Sequence, residues 1–367
     1  MKISNQDDTF FMKYAIRLAA RNLGLTGENP SVGCVLVSNG KIISYGITGI
    51  GGSPHAEFEA INKIKNIPSK TTAYITLEPC SHIGKNPSCV HLLIKNRISR
   101  VVIATKDPNP NNNGEGVKIL KNEGIDVKEG IEECLAKENI FGFDKRIRGL
   151  YPELNIKVAS FKDGITIPDD ESPWITNALS RSYGHILRSN HDAIIVGVNT
   201  VKIDNPNLDC RLQGMFDRSP TKIIIDTNLT TPLNSSLVKN AKKNRLIIYT
   251  KPLFNNEINN YKEKGVEVIG VELNNNGQIN LKSVLSNLRS KGFNRILVEG
   301  GSELSSSFLE DNFVNLVYWF TSDRDKTNYV KMTKGDKSLN KLIRSSKFKI
   351  KDSINLKNDN LKIIKSI

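Results

Sequence analysis

Phe11, Ala15, Leu18, Ala19 and Leu23 recur at helical spacing and predict an amphipathic first helix over residues 8–23. Two short apolar runs follow at 32–37 and 41–45, and the Asn39-Gly40 between them predicts a hairpin turn. Beyond the hairpin, helix and strand periods alternate. A helix is expected from His55, carrying Ala56, Phe58, Ala60, Ile61 and Ile64, then a buried strand at 73–77 and a helix after Cys89. A β-branched strand at 100–104, a helix at 117–123 stopped by Gly124, a short strand at 125–128 and a helix at 131–141 complete this half.

Residues 145–152 are basic, contain Gly149 and end on Pro152, and mark the expected domain boundary. The alternation then restarts, with strands at 155–160, 193–198, 222–226, 245–249, 266–271, 295–299 and 316–320 and helices between them, notably 178–188 and the segment from Gly301 to Leu309. Two further strands are expected at 348–350 and 361–364. Two layered α/β domains without internal repeat are predicted, 1–147 and a larger 148–367.

Composition narrows the class. With 367 residues, 38% hydrophobic and 7% aromatic, the chain can form ordinary cores, which excludes wholly disordered and collagen-like proteins. Its longest apolar run, residues 193–198, falls far short of the roughly 18 to 20 residues of a membrane helix. Asp7 and Asp8 precede the first apolar residues, and Lys13, Arg17 and Arg21 interrupt those that follow, so no signal core is seen and a cytoplasmic location is expected. The net charge of +14 is spread along the chain as scattered lysines, which reads as solvated surface and not as a nucleic-acid face. Five cysteines are too few, and odd in number, for a disulfide framework, which favours metal or catalytic use. Cys34 and Cys134 are read as core residues.

Chemistry concentrates at two places. His55-Ala56-Glu57 opens a helix, Glu78-Pro79-Cys80 follows a strand, and Cys89 starts another helix. One imidazole and two thiolates give three soft ligands for Zn²⁺ and leave the fourth tetrahedral position to water, whose pKa the metal lowers towards ~7. Glu57, two residues from His55, is placed to take and return the proton. His-x-Glu with Pro-Cys-x-x-Cys is the zinc-deaminase signature, and here eight residues instead of two separate Cys80 from Cys89. The second place is Val298-Glu299-Gly300-Gly301-Ser302, a strand-to-helix turn whose glycines either let backbone N–H groups approach a phosphate or simply make a tight turn; no Gly-x-Gly-x-x-Gly is present.

The insert after Cys80 narrows the family. Glu78-Pro79-Cys80-Ser81-His82 with Gly84, Pro87 and Cys89, together with Asn29-Pro30-Ser31-Val32-Gly33-Cys34 and Asp107-Pro108-Asn109-Pro110, resembles the deaminase half of the bifunctional riboflavin-biosynthesis pyrimidine deaminase/reductases. Lys157-Val158-Ala159-Ser160, Asp163-Gly164, Ser172-Pro173-Trp174-Ile175-Thr176, Gly197 with Thr200-Val201, and Asp204-Asn205-Pro206 resemble the reductase half. The resemblance runs from about residue 8 to 312 and fades after Phe313, where 323–332 lacks the expected Pro-and-Gly pattern. A second departure is Ile47-Thr48, where members often carry an aromatic-His pair.

The resemblance implies a cytidine-deaminase-like three-layer α/β/α domain followed by a dihydrofolate-reductase-like α/β domain that uses NADPH. It implies zinc-dependent hydrolytic deamination of 2,5-diamino-6-ribosylamino-4(3H)-pyrimidinone 5′-phosphate, then NADPH reduction of the ribosyl side chain of the deaminated product to ribityl. It assigns Asn29 and His82 to the pyrimidine pocket. It assigns Ala159, Trp174, Thr200, Asp204, Thr227 and Gly301, Ser302, Glu303, Leu304, Ser305, Ser306 and Ser307 to the cofactor. Ser172, Arg188, Leu208, Arg211 and Glu299 fall to the substrate, where the two arginines suit a ribose 5-phosphate, and Lys157 joins them as a group able to orient ribose hydroxyls or the transferred proton.

Two rivals remain on sequence grounds. A tRNA-type base deaminase would share the zinc site and use the positive charge, but the long Cys80 to Cys89 spacing and the second domain speak against it. A structural zinc module would close all four positions with protein ligands, and only three are visible. The expected partners are small pyrimidine ribose-phosphates, with no nucleic acid or membrane; a homo-oligomer is left open.

Overall fold

The computed structural model describes residues 5–82, 88–168, 172, 174–324 and 332–367. Gly84 and Pro87 of the insert, Pro173, and residues 325–331 of the divergent stretch lie outside the described residues. The chain divides into two compact units, Met1–Leu150 and Tyr151–Ile367.

The first unit runs α1 (Asn5–Ala20), β1 (Gly33–Ser38), β2 (Lys41–Ile47), α2 (Ala56–Asn62), β3 (Thr72–Ile75), α3 (Cys89–Lys95), β4 (Arg100–Ile103), α4 (Glu115–Asn122), β5 (Asp126–Glu129) and α5 (Glu133–Ile147). Its sheet has the order β2-β1-β3-β4-β5, with β1 antiparallel to both neighbours and β3, β4 and β5 parallel. Period-two alternation sorts the core. Val35, Val37, Tyr74 and Val102 meet Phe11, Met12 and Ala15 of α1 on one face, while Cys34, Leu36, Ile75 and Ile103 meet Ala60, Leu93 and Leu120 of the helices on the other. The unit is thus a three-layer α/β/α sandwich. Gly46 lets the start of α2 press onto β2: a Cβ there would lie 2.0 Å from the Ala56 carbonyl oxygen.

The second unit runs β6 (Glu153–Ser160), α6 (Ala178–Ser189), β7 (Ala193–Gly197), α7 (Val198–Asp204), β8 (Thr221–Ile225), α8 (Ser236–Lys239), β9 (Leu246–Thr250), α9 (Asn255–Glu263) and β10 (Glu267–Gly270). It continues α10 (Leu281–Ser290), β11 (Arg295–Val298), α11 (Ser302–Glu310), β12 (Val314–Ser322), α12 (Lys334–Ile343), β13 (Phe348–Leu356) and β14 (Asp359–Ser366). The nine-stranded sheet has the order β10-β9-β8-β7-β11-β6-β12-β14-β13. All pairings from β10 to β12 are parallel, and the two that add β14 and β13 are antiparallel. Helices cover both faces of the parallel part, so its central strands are buried throughout and read as unbroken apolar runs. At the far edge β13 pairs with β14, and most of its residues are exposed.

The predicted layering is present in both units. Three local readings differ. The fifth helix reaches Ile147, because Lys145 and Arg146 complement its C-terminal dipole instead of forming a linker. Cys134, expected in the core, is exposed near the start of α5. Val198, expected to end a strand, instead opens α7, a short helix in which only Val201 is buried, so no apolar stripe announces it.

Candidate functional site

In the first unit the turn entering α2 supplies His55 as its N-cap and Glu57 in its first turn, while Cys89 is the first residue of α3, whose N-cap is Ser88. Cys80 lies between β3 and α3, and its carbonyl accepts from Ser88 Oγ at 3.0 Å. These elements bring His55, Cys80 and Cys89 together, with all three candidate ligand atoms within 4.8 Å of one another. His55 Nδ1 is 3.4 Å from Cys89 Sγ and 3.7 Å from Cys80 Sγ. Bonds of about 2.0 Å to nitrogen and 2.3 Å to sulfur at tetrahedral angles set ligand atoms about 3.5 Å apart, so the set fits zinc. Cys89 and His55 lower the Cys80 thiol to about 4, whereas Cys80 and burial raise Cys89. Glu57, 4% exposed, is pushed up to about 7 by burial and by Cys80.

Two residues not singled out from sequence hold this centre. Glu78 is buried and accepts the backbone N–H of Asp107, Gly114 and Val117, pinning the loop before α4. Asn112, fully buried, accepts from Ser81 N and Ser81 Oγ, both at 2.8 Å, and donates to Asp107 and the Pro79 carbonyl. They clamp the Pro79-Cys80-Ser81 turn. In sequence Glu78 stands in the Glu78-Pro79-Cys80 motif without a role of its own, and Asn112 is signalled by the Asp107-Pro108-Asn109-Pro110 motif beside it. Asn29 donates to the Gly52 carbonyl at 3.1 Å, in the turn that leads to His55, and His82 is exposed. Thr48, at the departing position, is buried and accepts the Val32 N–H.

Two cavities of the second unit are lined by residues of the expected cofactor and substrate sets. The larger of these two, about 630 Å³, is bounded by Gly197, Thr200, Thr227, Gly301, Leu304 and Ser307, with Glu303 also on its wall. It sits at the start of α11, where backbone N–H groups face outward. Its size suits a dinucleotide portion, and among the described residues Lys282 is the one basic side chain on its wall. The smaller, about 260 Å³, takes in Lys157, Ala159, Trp174, Arg188, Arg211 and Glu299. There Arg188 forks onto Glu299, Nε to Oε1 at 2.7 Å and Nη2 to Oε2 at 2.8 Å. Burial raises Glu299, but Arg188 and Lys157 outweigh it and hold the carboxyl at about 2, whereas burial lowers Lys157.

The other predicted residues lie around these walls. Ser172 Oγ is bonded to the backbone of Trp174. Leu208 is buried with a left-handed backbone, φ 56, and Asp204 ends α7. Ser305 and Ser306 are buried, Ser306 donating to the Gly335 carbonyl, and Ser302 packs toward Gly335, so this side of α11 faces α12 and not the cavity. Arg181 and His185 also line the smaller cavity and were not singled out from sequence.

Residues 5–105 match the cytidine and deoxycytidylate deaminase zinc-binding region, and residues 152–321 match the RibD C-terminal domain. The riboflavin biosynthesis protein RibD of Aquifex aeolicus is 36% identical over 318 residues, covering 86% of this chain and 87% of that protein. The Thermotoga maritima diaminohydroxyphosphoribosylaminopyrimidine deaminase/5-amino-6-(5-phosphoribosylamino)uracil reductase superposes with TM-score 0.85 at 32% identity, covering 99% of both chains. Acinetobacter baumannii RibD gives 0.83 at 30% identity, over 99% of this chain and 100% of that one. With a zinc-fitting His/Cys/Cys cluster in one unit and a dinucleotide-sized cavity in the other, the chain belongs to the RibD family, the bifunctional zinc-dependent deaminases and NADPH-dependent reductases of riboflavin biosynthesis.

Proposed function

We propose that residues 1–147 carry the deamination and residues 148–367 the reduction. In the first, His55, Cys80 and Cys89 hold the zinc, which when bound supplies Lewis acidity that makes water a nucleophile near neutral pH. Glu57 takes one water proton on its carboxylate and gives it to the pyrimidine ring nitrogen, then carries the second, from the added hydroxyl, to the departing amine as the C–N bond breaks. Its burial beside the cysteines, which favours a carboxyl able to exchange protons near neutrality, is the observation that carries this reading. Asn29 and His82 contact the pyrimidine.

In the second, Thr200, Asp204, Thr227 and, at the start of α11, Gly301, Glu303, Leu304 and Ser307 hold NADPH, with Ala159 and Trp174 at its nicotinamide end. Lys157, Ser172, Arg188, Leu208, Arg211 and Glu299 hold the ribose-phosphate substrate. The smaller cavity, where Ala159 and Trp174 meet the substrate set, supports a hydride donor and acceptor side by side. The free cysteines suit a reducing compartment such as the cytoplasm, and the substrates are small molecules acted on without nucleic acid.

The test is a coupled assay on the full chain, supplying the diaminopyrimidine phosphate and NADPH while ammonia and NADPH oxidation are followed together. Glu57→Gln should keep one zinc and lose ammonia release by about a hundredfold or more, while NADPH oxidation on deaminated substrate continues. Ammonia release at the wild-type rate would remove Glu57 from the mechanism.

A further inference from the structure

Trp174, Ile175 and Thr176 form one wall of the smaller cavity, in the segment between β6 and α6. Side chains from beyond β12, in and after the stretch that lacks the expected Pro-and-Gly pattern, hold that segment at both ends. Near its start, Asn340 of α12 donates to the Gly164 carbonyl at 3.0 Å. The approach is close, since a Cβ on Gly164 would lie 2.4 Å from Asn340 Oδ1. Asp336, fully buried in the first turn of α12, accepts from Thr166 Oγ1 at 2.6 Å. Met332 packs with Phe161, Ile165 and Ile175. At the far end Arg324, just past β12, donates from Nη2 to the carbonyls of Trp174 at 2.5 Å and Ile175 at 3.0 Å. Its guanidinium lies 5.9 Å over the ring of the buried Phe161.

An exposed arginine ordinarily extends into water, because holding it in one geometry costs side-chain entropy. Here Nη2 instead turns back onto two successive carbonyls and fixes the peptide that joins Trp174 to Ile175. Arg181 adds a third bond, from Nη1 to the Thr176 carbonyl at 2.6 Å, with its guanidinium 4.9 Å over the Trp174 ring. Three consecutive carbonyls thus accept from charged donors, the stronger kind of hydrogen bond. The Trp174 ring is half exposed, so its place depends on this backbone more than on packing around the indole. We infer that Arg324 is a positioning residue for hydride transfer, holding the Trp174 backbone from outside the cavity so that the indole keeps its place against the nicotinamide. The inference rests on reading Trp174 as part of the nicotinamide end. Arg324 is not on the described wall of either cavity, so its loss takes no contact from cofactor or substrate and only frees the wall. The effect therefore falls on turnover: grip on the cofactor lies mainly at α11, whereas misplacing reacting atoms by about 1 Å costs about a hundredfold in rate.

The experiment uses the full chain carrying Trp319→Phe, in which tryptophan emission comes from Trp174 alone. This parent is compared with Arg324→Met, which keeps the stem and loses the donors, and with Arg324→Lys, which keeps a charged donor. Without cofactor, acrylamide should quench Trp174 emission more strongly in Arg324→Met than in the parent, with Arg324→Lys between them. In steady state, Arg324→Met should lose about tenfold in kcat for NADPH oxidation on deaminated substrate, with the KM for NADPH within about threefold and partial recovery in Arg324→Lys. The retained KM reports that the second unit is folded. Parent-like quenching and kcat in Arg324→Met would overturn the inference and leave the reductase reading standing. So would a loss that falls equally on KM, or a loss of kcat without a change in quenching. NADP⁺ should quench Trp174 emission in the parent; NADP⁺ that binds by calorimetry and leaves this emission unchanged would overturn both the inference and the placement of Trp174 at the nicotinamide.

Discussion

Replacing Arg188 with Met removes the guanidinium and keeps an unbranched apolar stem, leaving the Glu299 side chain, 10% exposed, with Lys157 as its nearest cationic influence. In the intact site the carboxyl is held at about 2 against an ordinary 4.5. At about 1.4 kcal/mol per tenfold, that difference corresponds to roughly 3 kcal/mol of stability in the second unit. Removing one partner of a buried pair costs about 3 to 5 kcal/mol elsewhere, which is the same order. Because the carboxyl is lowered on folding, its contribution is complete above about pH 4.5 and is lost as pH falls through about 2. The gap between wild type and Arg188→Met is therefore largest near neutrality and narrows in acid. Both tryptophans, Trp174 and Trp319, lie in the second unit, so their emission during urea unfolding follows that unit alone. A gap below about 0.5 kcal/mol near neutral pH, the level of ordinary surface substitutions, would refute the reasoning. So would a gap that does not shrink in acid.

Asn112→Ala should loosen the Pro79-Cys80-Ser81 turn and lower zinc affinity by about 10- to 100-fold in chelator competition, as loss of outer support does at other metal sites, with NADPH oxidation untouched. Lys282→Ala should raise the KM for NADPH about tenfold while leaving that for NADH unchanged, since among the described residues Lys282 is the one cation on the wall of the larger cavity to meet an extra phosphate. Steady-state kinetics with both cofactors checks it, and equal effects on the two would place the extra phosphate elsewhere.

The zinc cluster could be read from sequence because each member marks a chain direction change: His55 caps a helix, Cys80 leaves a strand and Cys89 starts a helix. Such positions are fixed by local rules, and ligand type supplies the rest. Glu78 and Asn112 escaped because their partners are backbone groups up to 39 residues away, and a side chain that bonds to backbone leaves no matching residue to find. In the second unit the strands were legible as runs such as Ile194, Ile195 and Val196, since burial on both faces removes polar interruptions. Helix α7, which buries only Val201, and the fork of Arg188 onto Glu299, 111 residues away, were not.

The outer strand β13 gives part of the surplus of positive charge a use. Among the described residues no strand pairs with its outer side, and such an edge is of the kind that recruits strands from other molecules. Along it Lys349, Lys351 and Asp352 are exposed, beside an Ile350 that is 60% exposed. A second chain adding there in antiparallel register about Ile350 would set Lys349 against Lys351 across the seam, which disfavours the pairing. Charge spread thinly through the sequence thus becomes, on this one strand, a guard against aggregation.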